Sequence, residues 1–555
     1  MNNNTELPVN TALAEKTNKL SYSKADLIAL LISIAFGYLL QKWGGLFDPD
    51  SGSFALTAIL IVGSFVFLRL KKIPVSGKSR AFIGLTAVFS FSLILSSSES
   101  VKMFAAAYVV LSTIYWIYYT CLVSENGETG FLIDDFIAFN MIKAALAVPF
   151  SYMVRIFEGI DAIVTSLSGK GRSMAKKVFM IIGGLCAAAI PTAIVTGLLI
   201  SADDAFSNAA NMIMDFTFDN FFIEFVIFIT GIPAGVYLFN VLYGNTHRNR
   251  LRAESVANDE GGDTVNQNVH TENYTHAGNS RKNETTTQRL RVASPFVVFA
   301  SVTPICIVYT LFFLVQSAYF LSPFKNIVPD GYSYAEYARK GFFELCTVSV
   351  INIFIIIYIT LLTKRKAESK NHAIKAYVIV ISAYTLVMIV IAMSKMAMYI
   401  NAYGLTIMRI YPTWFMILLT AIFIFIIVRQ FKEFKLFRCI FAVFVVLFAM
   451  LIFVDLDSIT ANYNIDRYLD GTLESVDVNM IRFELSDSAV PALLKLLDHK
   501  DPHFIDTVED AVYERYSQSK EQKMNFPNFN FSSYLMIKKI EASPKFDKTN
   551  AIKLY

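Results

Sequence analysis

Between Gly331 and Trp414, charged and aromatic side chains enter an otherwise oily chain, with the types and spacing of a binding or acid–base site. Tyr337, Arg339, Lys340 and Glu344 open one apolar run, Lys395 lies near the end of the next, and Arg409 opens a third. Charge in or beside hydrocarbon is costly, so it usually has a task or a partner. Lys340 and Glu344 stand one helical turn apart and share a face, with Tyr337 on the same side. Arg409 precedes Pro412 in the first turn of its run, where proline is tolerated. A guanidinium there can pair with Glu344, Asp203 or Asp455, or hold a phosphate or carboxylate of a lipid or peptide. Asp203 and Asp204 end an earlier run, and Asp455 and Asp457 end the last one. In an enzyme, Glu344 or Asp203 would be the general base and Arg409 the anion clamp.

Plainer readings stand beside these. Lysines and arginines near helix ends snorkel to the headgroups, and Tyr and Trp at that depth form an aromatic belt. Glu344 and Arg409 can be structural partners, and Asp203 and Asp204 can cap a helix end.

The 555-residue chain is 55% hydrophobic, holds 48 Phe and is only 17% charged, where soluble domains carry about 25%. With its long apolar runs, this makes a bilayer the solvent. The net charge of +4 is small, and no basic patch interleaved with aromatics points to nucleic acid. Cys121, Cys186, Cys306, Cys346 and Cys439 sit in or at the ends of apolar runs without a CxxC pair, as packing residues do. The six His lie in polar segments, which argues against a metal site within the membrane. No cofactor is implied. The polar stretch Met1 to Lys24 precedes the first apolar run without a small-residue cleavage site, so that run is expected to be a retained span.

About eleven candidate spans follow: 25–42, 53–70, 80–97, 102–122, 178–201, 220–243, 295–320, 341–363, 374–398, 406–429 and 437–456. They are continuous rather than alternating, so helices are required. Lys and Arg crowd into the loop holding Arg69, Lys71, Lys72, Lys78 and Arg80, then recur at 170–177, 364–375 and 429–438. The loop after the third span holds only Lys102, and the loop after the fifth holds no Lys or Arg but has Asp203, Asp204, Asp215 and Asp219. By the positive-inside rule the N-terminus is cytoplasmic and the C-terminal tail extracytoplasmic. All the unusual charges then fall at outer helix ends, where they can converge on an outward-facing polar cavity. Phe136 to Val154 is apolar enough to be a further span, but basic residues follow it and a crossing there breaks the alternation. It is read as an amphipathic helix in the cytoplasmic interface.

The expected organisation is a cytoplasmic N-terminus at 1–24 and a membrane half at 25–243 with an interfacial helix near 131–157. A disordered cytoplasmic linker at 244–294, too polar to bury a core, joins it to a second half at 295–457. A small extracytoplasmic helical domain at 458–555 completes it. There, Ser486 or Asp487 is expected to cap a helix whose apolar face is Val490, Leu493, Leu494 and Leu497, with a second helix from His503 to Tyr516.

Several stretches resemble a bacterial multipass family known only as a domain of unknown function, the 4173 group. They are Leu198 to Phe206 with its Asp-Asp pair, Tyr337 to Leu345, Leu405 to Pro412, and in the tail Asn464 to Leu469 and Leu485 to Leu493. The likeness implies an integral membrane protein of bacterial origin, located in the cell membrane, and implies no activity. The expected fold class is all-α: a polytopic helical membrane protein with a small helical C-terminal domain. The expected function is non-enzymatic, transport-like or a sensor or scaffold, built around a site of Asp203, Asp204, Tyr337, Arg339, Lys340, Glu344, Lys395 and Arg409. The alternative is an outer-leaflet transferase or hydrolase acting on a lipid-linked substrate. The partners so implied are the bilayer and an anionic lipid or lipid-linked ligand.

Overall fold

The computed structural model describes residues 23–43, 50–126, 137–152, 220–247, 295–316, 334–362 and 368–546, and every regular element in them is helical. The apolar runs become α1 (Lys24–Trp43), α2 (Ser51–Leu70), α3 (Gly77–Leu95, broken at Phe91) and α4 (Glu99–Asn126). After the shorter segment 137–151 come α6 (Asn220–Thr246), α7 (Pro295–Gln316), α8 (Tyr334–Leu362), α9 (Glu368–Tyr403), α10 (Ile407–Phe431) and α11 (Leu436–Phe453). The segment at 137–151 is α5, a helix whose middle, Lys143–Ala147, widens to a π turn. Among the described residues, nine helices are long and apolar enough to cross a bilayer. The apolar stretch of α7, Ala300–Leu314, is shorter, and the expected span at 178–201 lies outside the described residues. Val62, Leu314 and Phe354 are exposed on these helices, as side chains facing hydrocarbon are. The protein is thus an all-α polytopic helical membrane protein.

The chain divides into two compact units, one of Met1–Leu93, Ala106–Leu132 and Ala138–Val265, the other of Ile94–Ala105, Ile133–Ile137 and Asn266–Tyr555. In the first unit, α1 and α6 approach through glycine. A Cβ at Gly231 would stand 2.5 Å from the carbonyl oxygen of Gly37, and one at Gly235 would stand 2.8 Å from Ile34 Cα. Hydrocarbon offers no hydrophobic drive between helices, so close backbone packing of this Gly-xxx-Gly kind takes its place. Trp116, fully buried on α4, donates to Ser79 Oγ at 2.7 Å. At one end of α1, Asp26 is buried and paired with Lys71 at 2.6 Å. Segment α5 runs alongside the last turns of α6: Tyr237 Oη donates to Ala145 O at 2.8 Å, and Tyr152 Oη to His247 O at 2.9 Å.

In the second unit, α8, α9 and α10 bury Phe342, Val378, Met388, Met416 and Phe423. Uncharged polar groups tie these helices to α7. Tyr309 Oη donates to Asn352 Oδ1 at 2.6 Å, and Asn352 Nδ2 to Thr385 Oγ1 at 2.9 Å.

The C-terminal domain follows as α12 (Leu456–Leu469), α13 (Pro502–Gln522) and α14 (Phe531–Ala542) around a 3-10 helix at Asp487–Asp498. Asp501 and Asn530 cap α13 and α14 by accepting from His503 N, and from Ser532 N and Ser533 N. The expected α-helix starting at Ser486 or Asp487 is corrected here. A 3-10 helix repeats every three residues, so Val490, Leu493 and Leu496 form its fully buried row, with Leu494 and Leu497 at the margin. Ser486 holds the N-cap position without a side-chain cap bond. Asp487 spends its carboxylate on Arg515 at 2.6 Å, Ser519 at 2.8 Å and Ser533 at 2.5 Å.

Candidate functional site

Two connections set the geometry of the site, both within the second unit. The first joins α9 to α10. Gly404 takes φ of +78°, a left-handed turn that glycine enters without strain. Leu405 N donates to Asn464 Oδ1 at 2.7 Å, and Asn464 Nδ2 donates back to Leu405 O at 2.8 Å. The carboxamide so acts as a neighbouring backbone and fastens the turn to α12. Arg467, also on α12, reaches Ile400 O at 3.4 Å. The second connection joins α11 to α12. Asp455 is the N-cap of α12, accepting from Ser458 N at 3.1 Å and from Ser488 Oγ at 2.6 Å.

The turn between α3 and α4 meets these two. Asn530 Nδ2 donates to Ser96 O at 2.5 Å, and Ser97 Oγ to Ser532 Oγ at 3.2 Å. Together the segments enclose a cavity of about 90 Å³. Its polar lining is Ser96, Ser97, Ser98, Tyr411, Asp455, Asp457, Ser488 and Ser532, and its apolar lining comes from Leu95, Val101, Ile407, Ile452 and Phe453 among others. The volume admits a few waters or a small ion or headgroup fragment. Asp457 is almost fully buried and accepts from Ser486 N at 3.2 Å. Burial pushes its carboxyl above the ordinary range and the nearby Asp455 charge adds to this, against the donors of Ser486 and Ser98. The Tyr411 hydroxyl lies beside Ser98 and Ser100 without closing a hydrogen bond of normal length. The chemistry available is a buried carboxyl whose proton affinity is raised, ringed by hydroxyls that both donate and accept.

Of the residues expected to form the site, the side chains of Glu344, Lys395 and Arg409 are described. Arg409 pairs with none of the carboxylates proposed for it among the described residues. Its Nη1 donates to Tyr403 O at 3.0 Å and to Gly404 O, and its guanidinium lies 4.0 Å over the Tyr399 ring. The last carbonyls of a helix lack intrahelical donors and carry the negative end of its dipole, so they compete well for an arginine. Glu344 is exposed on α8, and its charge acts on Lys395, half-buried on α9. Tyr337, Arg339 and Lys340 fall in the first turns of α8 as expected, and their side chains lie outside the described residues. So do Asp203 and Asp204. Reading the sequence for charge in apolar runs found Asp455 and Asp457 but passed over the hydroxyls. The run Ser96-Ser97-Ser98 at the end of a span was the available signal. Among the described residues, no group of three or more His, Cys, Asp or Glu could hold a metal ion.

The profile of a family described as a domain of unknown function, DUF4153, matches residues 81–496. The chain belongs to that family. This replaces the 4173 group suggested by the motif likeness. All the stretches that carried the likeness fall inside the matched region. Short pieces of aromatic and charged residues at span ends recur wherever helices leave a bilayer, so they point to a multipass family without separating one group from another. The DUF4153 region takes in the cavity's segments from the α3–α4 turn to Ser488 and ends before α14. No curated protein and no solved structure matches the chain.

Proposed function

We propose that this DUF4153 protein is a non-enzymatic sensor or scaffold, its C-terminal helical domain held rigidly on the ends of its membrane spans outside the cytoplasm. The observation that carries the reading is the shared cavity. The C-terminal domain and three span-end turns, around Ser97, Leu405 and Asp455, are bonded into one cluster. Whatever binds or displaces the domain therefore acts on α9, α10 and α11 at once.

The distribution of Lys and Arg assigns those three turns to one side of the membrane, and their meeting supports that assignment. It also constrains the count. Segments meeting on one side are separated by an even number of crossings. With 178–201 and α7 each taken as one span, residues between Ser98 and Gly404 cross an even number of times only when 137–152 does not traverse the bilayer. Reporters active only inside or only outside the cytoplasm, fused after Lys500 and after Lys366, test this directly. The reading expects Lys500 outside and Lys366 inside. Both on one side overturns it.

A transport-like version draws on the bonded chain Tyr309–Asn352–Thr385, which brings polar groups among the spans. The outer-leaflet enzyme draws on Asp457, whose raised proton affinity suits a general acid or base. Asp457→Asn separates the readings. In a host lacking the native gene, a scaffold carrying Asp457→Asn complements normally, and an enzyme that uses this carboxyl does not.

A further inference from the structure

Helix α14 is apolar on both sides. Its inner row, Ser533, Met536, Ile537 and Ile540, packs into the C-terminal core. Its outer row is Phe531, Tyr534 and Leu535, exposed at 41%, 37% and 41%, followed by the exposed pair Lys538 and Lys539. Phe526, just before the helix, is 55% exposed. A soluble helix has one apolar stripe and a polar opposite face. Here the opposite face is aromatic and aliphatic for one turn and cationic for the next.

The place of this row identifies what covers it. Residues Asn530 and Ser532, in the first turn, bond to Ser96 and Ser97. Those serines follow directly on the span Gly77–Leu95. Ser532 also shares the cavity with Leu95, the last residue of that span, and with Phe453, the last of the span Leu436–Phe453. The first turn of α14 therefore sits at the level where two spans leave hydrocarbon. An α-helix rises about 1.5 Å per residue, so Lys538 and Lys539 stand roughly 10 Å or more along the axis from Phe531. Interfacial helices likewise combine an apolar face with flanking basic residues that meet anionic headgroups.

We infer that the outer face of α14 is a membrane-contact surface. Phe526, Phe531, Tyr534 and Leu535 lie in the acyl–headgroup boundary of the bilayer the protein spans, and Lys538 and Lys539 meet anionic headgroups. The inference rests on the multipass reading, not on which side the domain occupies. It adds a lipid clamp to the protein contacts that fasten the C-terminal domain.

The test places the full-length protein in nanodiscs of phosphatidylcholine, alone or with phosphatidylglycerol, and adds a tryptophan by Phe531→Trp or Leu535→Trp. Thr507→Trp is the control, on a face of α13 that also carries Asp506 and Asp510. Emission added over the parent protein is read with brominated phosphatidylcholine and with acrylamide. At 531 and 535 we expect blue-shifted emission, with brominated lipid quenching about two-fold or more stronger than at 507 and acrylamide weaker. Phosphatidylglycerol should deepen the difference, and Lys538→Gln with Lys539→Gln should remove that deepening. Acrylamide quenching equal to that at 507 overturns the inference. So does protection from acrylamide without quenching by brominated lipid, which would mean that protein, such as a second copy, covers the face. Circular dichroism and monodisperse elution of each variant ensure that a folded protein is being read.

Discussion

Asn464 and Leu405 exchange two hydrogen bonds, 2.7 Å and 2.8 Å long, that join the first helix of the C-terminal domain to the turn between two membrane spans. Asn464 is buried, so deleting its carboxamide leaves an amide and a carbonyl of that turn without partners. Asn464→Ala should cost about 1–3 kcal/mol, read as a lower thermal midpoint of the purified protein in detergent. Asn464→Asp keeps the acceptor and loses the donor, so it should fall between wild type and Ala. Equal stability of all three would remove this link from the account of how the domain is held.

The same turn makes Gly404 irreplaceable. Its positive φ already disfavours any side chain, and a Cβ would stand 2.5 Å from Asn464 Oδ1. Gly404→Ala should destabilise by about 1–3 kcal/mol. In the background of Asn464→Ala the steric part should fade, so the two effects should be less than additive in a double-mutant cycle.

Arg409 separates structure from ligand binding. The arginine stacks on Tyr399 and donates to two carbonyls of one helix end. Lysine keeps the charge but has no planar fork, so Arg409→Lys should lower stability by about 1–2 kcal/mol. A variant that keeps wild-type stability and loses function would instead assign Arg409 to a ligand.

Asp487 predicts the acid response of the C-terminal domain. Burial raises its carboxyl, but Lys523, Arg515 and the hydroxyls of Ser533 and Ser519 more than offset this and hold it below the usual range. A carboxyl lowered on folding adds stability that is fully present above its unfolded value, about pH 4, and is lost as pH falls through the lower folded value. The domain should therefore lose stability on the acid side below about pH 4, and Asp487→Asn should flatten that limb. Asp487→Ala, which strands Arg515 beside a missing partner, should cost about 3–5 kcal/mol at neutral pH. Urea unfolding followed from pH 3 to 8 reads both.

Gly231 tests the contact between α1 and α6. Gly231→Leu forces a side chain into the space held by the Gly37 backbone, so the helices must separate and folded protein in the membrane should drop sharply. Gly63, with nothing within 4 Å of its Cβ position, is the matched control and should tolerate alanine.

Much of this protein was legible from local sequence. Spans are set by run length and composition, because each helix satisfies its own backbone whatever surrounds it. Hence, among the described residues, the apolar runs and the helical tail reappear as helices, and Tyr337, Arg339 and Lys340 fall in the first turns of α8 as expected. What the sequence left open was which side chains meet. Arg409 binds backbone carbonyls, and a carbonyl has no signature in the sequence. The cavity joins Ser97 to Ser532 across 435 positions, a pairing that no local period encodes. The stretch at Asp487–Asp498 carries a pattern compatible with either helix, and only its seat among α12, α13 and α14 selects the tighter one with Val490, Leu493 and Leu496 inward. Hydropathy is a property of each segment, so sequence determines it. Partnership is a property of how segments pack, so tertiary structure decides it.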